Sequence, residues 1–405
     1  MIRHSPYWLD RFPKARRPSY PRQRGHLDTG IVIVGGGLTG AACAASFAAA
    51  GVKIVLLEAD RIGAGTTAGS TGLLREDFEG SFQATASAHG LRAARLLWQG
   101  MRRASLDFAA ALRRLEVRCD LVPQDLLLVG RAHDAAKALR REYQARRDGG
   151  LDHSWLTPAA LLREAAVSGA GAIRTRGASL DPYRACLGLA AAASARGAAL
   201  FEHSPVTRIR TASHHVDVTT AGGTVRAEAV LIATGAPLPD LRALRRHFRP
   251  EQGYAVVTEP LPAAVRRQAG KRTSALRDGT TPPHFLRWLK EDRVLFAGAD
   301  QPPVPSRARD KTLVQRTGQL MYELSLVYPE ISGTAPEWSW DFTHESTVDG
   351  LPCIGVHRNF PRHLFALGHG RHGLATAWLA ARLLLRQYRG EPDKGDELFG
   401  FARIL

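Results

Sequence analysis

Apolar positions along this chain fall into two textures. Some runs are unbroken, as in strands buried on both faces; others alternate with polar residues, as in strands with one wet face. The first unbroken run, 31–34, leads straight into Gly35-Gly36-Gly37-Leu38-Thr39-Gly40. An Ala-rich helical stretch follows to about residue 50, Gly51 ends it, and a second apolar run, 53–57, closes on Glu58. Further on, amphipathic helical spacing covers 89–116, a charged helix 133–147, and a third helix 155–166 with Thr157 as N-cap and Pro158 at its first position. Residues 121–129 read as strand, and Asp181-Pro182 opens a helix to 196. Val206 then leads into alternating strands 208–211 and 215–220, a turn at 221–224, and a buried strand 230–235 that ends in Ala233-Thr234-Gly235.

From 236 to 340 alternation takes over, with strands at 253–259, 285–289 and 294–298, the last two joined by a hairpin at 290–293. This predicts an antiparallel lobe, followed by a helix over 307–328. The C-terminal part returns to the first texture: strand 364–367, the turn Gly368-His369-Gly370-Arg371-His372-Gly373, then a helix to 389 starting near Leu374. The pattern predicts an α/β fold, a Rossmann-type dinucleotide-binding domain with an inserted antiparallel-sheet substrate domain. Expected boundaries are an arm at 1–28; a discontinuous cofactor domain at 29–88, 151–235 and 341–392; a substrate domain at 89–150 and 236–340; and a tail at 393–405. Tyr7, Trp8 and Phe12 should dock the arm onto the body.

The glycines of the first loop have separate jobs. Gly35 permits a tight turn, Gly37 lets the backbone approach a pyrophosphate, and Gly40 brings helix against strand. The helix start at Leu38 and Thr39 presents free N–H groups and a positive dipole end to phosphates. Glu58 accepts from both ribose hydroxyls and repels a 2′-phosphate, so FAD or NAD fits and NADP does not. Beyond Ala59 and Arg61 comes a run of small residues, with Gly65, Thr66, Thr67, Thr71 and Gly72 ahead of Leu73. It is suited to backbone lying flat against a ligand, with hydroxyls as donors.

Length and charge refine this. The chain has 405 residues, room for two domains, and an ordinary 44% hydrophobic content. Its formal charge of +17 is carried mostly by Arg. A solvated basic surface accounts for that, and acidic substrates, anionic membrane or nucleic acid are the other readings. Arg clusters at 242–249 and 266–272 lack aromatics at recognition spacing, so a nucleic-acid-associated flavoprotein is a distant alternative. Four scattered cysteines form no C-x-x-C pair, which argues against a disulfide framework and suits a reducing, cytoplasmic setting. Neither a signal peptide nor a membrane-spanning run is expected. His369 and His372 lack a third ligand at sensible spacing, so no metal is expected.

The ordered motifs around Glu58, Gly65-Thr66-Thr67, Val206, Ala233-Thr234-Gly235, Asp349-Gly350-Leu351-Pro352 and 368–374 resemble the FAD-dependent D-amino-acid oxidase superfamily. The likeness is to its glycine/sarcosine oxidase and D-amino-acid dehydrogenase branch. Tyr7-Trp8-Leu9-Asp10 also resembles bacterial members related to γ-glutamylputrescine oxidase. The resemblance covers nearly the whole chain. It implies non-covalent FAD held by Gly35, Gly37, Gly40 and Glu58, with Arg61, Thr66 and Thr67 along the diphosphate and Val206 at the adenine. Thr71, Gly72 and Leu73 would line the isoalloxazine, and Gly370, Arg371, His372, Gly373 and Leu374 its pyrimidine edge. The glycine-rich loop, the 65–73 stretch and the two later glycine turns thus converge on one long ligand.

The implied chemistry is oxidation of the C–N bond of an amine or amino acid: hydride passes to the flavin, and the imine is hydrolysed. Some members place a carboxylate-binding Arg five residues before the Asp of the Asp-Gly-x-Pro motif; here that residue is His344. A sarcosine-oxidase-like pattern places an Arg ten residues past Gly65, where Arg75 stands, although an ordinary surface Arg is the other reading. Arg287, on the face of its strand that carries Phe285, is a second candidate, and Tyr254 would either close the pocket or sit in the core. A Lys that assists oxygen in sarcosine oxidases is replaced by Ala375, which raises the alternative of a dehydrogenase, or a tailoring enzyme for a larger unusual amine, that does not use O2. His369 or His372 would then be the local positive charge. Cys353 reads as core.

Overall fold

The computed structural model describes residues 2–131 and 133–404; Met1 and Leu405, the outer ends of the expected arm and tail, and Ala132 lie outside the described residues. Within each unbroken apolar run, successive side chains point to opposite faces, so both faces of one sheet must be covered. Ile31, Ile33, Ile54, Leu56 and Leu231 turn to one face, while Val32, Val34, Val55, Leu57 and Val230 turn to the other. The layer is five parallel strands in the order Phe360–Leu367, Gly223–Gly235, Gly25–Val34, Ile54–Leu57, Ala199–Phe201. Helix Leu38–Ala49 lies on the first face between Pro182–Ser194 and Gly373–Arg389. Its Ala41, Ala42 and Ala44 are fully buried, and these small side chains let three helices and a sheet approach closely. Val206–Thr211 and Val216–Thr220 extend the sheet antiparallel from the first half of Gly223–Gly235, and Cys353–His357 is the eighth strand, antiparallel along the outer side of Phe360–Leu367.

The lobe is a second eight-stranded sheet, ordered Pro336–Thr347, Phe248–Thr258, Arg293–Gln301, Phe285–Leu289, Ala275–Asp278, Leu126–Gly130, Gly171–Thr175, Ser154–Leu156. Tyr254, Val256, Leu286 and Phe296 pack outward against helix Arg309–Val327. Ala255, Val257, Leu295 and Ala297 face the cofactor domain. The fold therefore has the two-domain α/β architecture that the pattern predicts.

Several segments sit elsewhere than expected. Strands Ser154–Leu156 and Gly171–Thr175 extend the lobe sheet, not the cofactor domain. The glycine at 171 lets the Trp155 indole lie over the backbone; a Cβ there would be 2.3 Å from it. Helix Leu91–Arg114 packs its stripe on the cofactor domain, with Phe108 stacked on Trp378 at 5.8 Å. The run 121–129 divides into two strands: Val122–Pro123 pairs with Gly177–Ser179 in a small sheet that also holds Leu73–Arg75, and Leu126–Gly130 joins the lobe. The lobe strand Pro336–Thr347 carries the chain six residues past the expected return at 341.

Tyr7 and Trp8 are buried, as the arm's docking requires, and Tyr7 meets Trp338 edge-on at 5.0 Å. Among the described residues, no helix is long and apolar enough to cross a membrane.

Candidate cofactor and substrate site

An elongated cavity runs from Glu58, at the end of the second parallel strand, to His344 on the lobe. Its floor is set by close backbone approaches. Gly35 has φ +107°, and a Cβ there would stand 2.6 Å from the Ala233 carbonyl oxygen. At Gly40 a Cβ would be 1.9 Å from the Gly35 oxygen. Gly40 therefore packs the helix against the loop and does not line the cavity. Gly35, Gly37, Leu38, Thr39, Glu58, Ala59 and Arg61 do line it. So do Gly65, Thr66, Thr67 and Thr71, with Val206, Ala233, Thr234 and Gly235 opposite. The Glu58 carboxylate accepts from Gly36 N at 2.6 Å and Asp60 N at 2.8 Å, which braces the acid at the mouth. Thr67 Oγ1 accepts from Leu38 N at 2.9 Å, tying the small-residue stretch to the helix start. That stretch is a helical turn, Thr66–Gly69, rather than flat backbone.

The far end is built differently. Arg75 is buried, its Nη2 2.5 Å from His372 Nδ1, its Nε 3.6 Å from Asp77, and its guanidinium 4.7 Å from the Phe285 ring centroid. Among the described residues its buried Nη1 has no hydrogen-bond partner. Burial pushes the guanidinium down to about 10, so it stays charged at neutral pH. Burial alone would raise the Asp77 carboxyl, but Arg75 and Arg277 beside it hold it below the usual range. His344 Nε2 lies 3.0 Å from Asp300, and Arg371 also pairs with Asp300. The nearby trio of Glu251, Asp300 and His344 has metal-like spacing, yet the Arg371 guanidinium already neutralises Asp300. Gly370, Arg371, Gly373 and Leu374 line this end, and Arg371 N donates to Glu79 at 2.9 Å.

Both C-terminal histidines are neutral. Burial pushes His369 down to about 4, and burial with Arg75 and Arg277 nearby holds His372 well below its ordinary value. The positive charge expected of them comes instead from Arg75 and Arg371. His369 lines the cavity close to the Ala366 backbone, and among the described residues neither ring nitrogen makes a well-formed hydrogen bond, while His372 stands behind Arg75.

Other expected site residues lie outside the cavity. Tyr254 points to the far face of the lobe sheet, where its hydroxyl accepts from Gln301 at 2.8 Å. Arg287 shares the face of Phe285 but spends Nη1 on the carbonyls of Thr71, Gly72 and Leu180. Leu73 packs with Leu126, Ala275 and Phe285. Asp349 caps its own turn, accepting from Leu351 N at 3.2 Å and from Arg403 at 2.7 Å, with Gly350 at φ +71° in that turn. Cys353 is fully buried. The Arg clusters also lie away from the cavity, and Arg266 and Arg272 both pair with Asp292.

Motifs and spacing do not mark Asp77, Glu79, Arg277, Asp300 and Phe285 as site residues. Arg75, Asp77 and Glu79 do alternate in the sequence, the one available sign that they share a side.

The residues present fit FAD. The glycine floor admits backbone-close phosphates, the helix start is open to them, and unpartnered buried polar atoms of Arg75 and His369 await a polar ligand at the other end. Fold and cavity together define a two-domain flavoprotein. Residues 30–387 match the family described as FAD dependent oxidoreductase, and the chain belongs to that family. It is 27% identical over 375 residues to gamma-glutamylputrescine oxidoreductase of Escherichia coli (strain K12), covering 90% of this chain and 85% of that protein. Glycine oxidase of Geobacillus kaustophilus (strain HTA426) is 28% identical over 366 residues, 87% of this chain and 91% of the relative. The crystal structure of glycine oxidase from Geobacillus kaustophilus superposes with a TM-score of 0.78 at 24% identity, over 93% of this chain and 99% of that one.

Proposed function

We propose that this enzyme oxidises the C–N bond of a carboxylate-bearing amine or amino acid. The observation that carries the reading is the buried, unpartnered Nη1 of Arg75 at the cavity's lobe end. A guanidinium held by Asp77 and Phe285 has one arm left, and a carboxylate is the group that its donors match. FAD, when bound, supplies the hydride acceptor. The chain's own groups anchor the substrate's acid at Arg75, exclude water with Phe285, Phe342 and Leu374, and keep neutral imidazoles at His344 and His369 near the amine. The substrate, bound as the neutral amine, loses a hydride from the carbon bearing nitrogen and is left as an iminium ion, which water hydrolyses to the carbonyl compound and the protonated amine. Relatives named for glycine and γ-glutamylputrescine oxidation support an amine substrate.

A second reading follows from His344. It stands where an α-carboxylate clamp is expected and is committed to Asp300 at 3.0 Å, which favours an amine whose acid lies away from the reacting carbon. Replacing His344 with Arg should then raise kcat/KM for α-amino acids about tenfold relative to amines lacking an α-carboxylate. An unchanged ratio would take His344 out of substrate choice.

The decisive experiment is anaerobic: a panel of amines, N-methyl amino acids and D- and L-amino acids, with flavin absorbance followed, then air admitted. Bleaching by a carboxylate-bearing amine is expected. Slow recovery in air would mark a dehydrogenase, as Ala375 suggests; a panel without any bleaching sinks the C–N reading. Four buried free cysteines suit a reducing cytoplasm.

A further inference from the structure

The segment Gly69–Gly72 passes beside the cavity, with Ser70 and Thr71 in its lining. Its four consecutive carbonyls are all taken by side-chain donors. Trp340 Nε1 donates to Gly69 O at 3.1 Å, and Trp8 Nε1 to Ser70 O at 2.7 Å. Arg287 Nη1 lies 2.9 Å from Thr71 O and 3.0 Å from Gly72 O. The same nitrogen is 2.9 Å from Leu180 O, so two protons serve three acceptors. These donors come from the N-terminal arm and from two lobe strands.

We propose that Trp8, Trp340 and Arg287 form a carbonyl clamp that shapes the cofactor-facing segment 69–72, making Arg287 and Trp8 positioning residues for FAD. Backbone whose carbonyls are all drawn outward has a fixed peptide orientation on its cavity side. Small residues let the clamp close. A Cβ at Gly72, where φ is +70°, would be 2.3 Å from Leu180 O and 2.5 Å from Arg287 Nη1. At Gly69 a Cβ would meet Phe342 at 2.6 Å. The arm is itself fastened at both ends of this contact: the Arg287 guanidinium lies 5.1 Å from the Trp8 ring centroid, and Tyr7 packs on Trp338. Among the described residues this buried guanidinium hydrogen-bonds to carbonyls alone, which is expensive to maintain and marks a positional role rather than a surface accident. The assignment holds whatever the substrate is.

The test uses the full chain with FAD removed and added back, followed by flavin fluorescence. Trp8→Phe keeps the ring and loses the donor; Arg287→Lys keeps the charge and loses the fork. Each should raise the FAD dissociation constant about tenfold. At saturating FAD, each should alter the vibronic shape of the flavin absorbance band while the apoprotein keeps its wild-type circular dichroism. Wild-type affinity and band shape in both variants would overturn the proposal, as would an affinity loss seen only together with loss of the apoprotein's folded signal.

Discussion

Replacing Arg75 with Gln should raise KM for carboxylate-bearing amines about 10- to 100-fold, since a charge-assisted hydrogen bond is worth roughly 1.5–3 kcal/mol. Gln keeps a donor and much of the volume over Phe285 but removes the charge. Asp77 would retain Arg277 at 3.4 Å, so the variant does not leave that buried carboxylate unpaired. A carboxylate-free amine of similar size should lose far less. Steady-state kinetics on the two substrates decide it: an equal loss on both would mean that Arg75 holds the site's shape and not the substrate's acid.

Substituting Ala at Gly40 should give a protein that purifies with less than about a tenth of its flavin, an effect of at least 1.4 kcal/mol on binding. The added Cβ would lie 1.9 Å from the Gly35 oxygen, nearly half the separation that van der Waals contact requires. Backbone cannot swing aside as a side chain can, so the helix start and the Gly35–Gly37 loop must separate. Those N–H groups would then no longer converge on the diphosphate. The ratio of flavin to protein absorbance measures the outcome, and full flavin content would remove the helix start from the cofactor site.

The nucleotide end of the site was legible because its chemistry is local. Gly35, Gly40 and Glu58 lie within one strand–helix–strand unit, and each glycine answers a close approach inside that unit. At the substrate end the partners come from far apart. His372 and Phe285 reach Arg75 from the C-terminal turn and a lobe strand, and no periodicity links those positions. Alternation placed Arg287 on the correct face yet could not tell a substrate ligand from a backbone clamp, since only the acceptors distinguish them. Tyr254 shows the same limit: strand register decides which face meets the cofactor, and its neighbour Ala255 is the one that does. The strands at 154–156 and 171–175 join the lobe against expectation because short strands carry no mark of the sheet they will join.

The order of strands in the parallel sheet bears on biosynthesis. Its strand Phe360–Leu367, flanked on the far side by Cys353–His357, is made more than a hundred residues after its neighbour Gly223–Gly235. The growing chain must therefore carry an open strand edge through the synthesis of most of the lobe. Open edges of apolar strands recruit other chains, so this is the interval in which a nascent polypeptide most needs a chaperone's cover. The antiparallel strand Val216–Thr220 already pairs with the first half of that neighbour and shortens the exposed stretch to its last few residues.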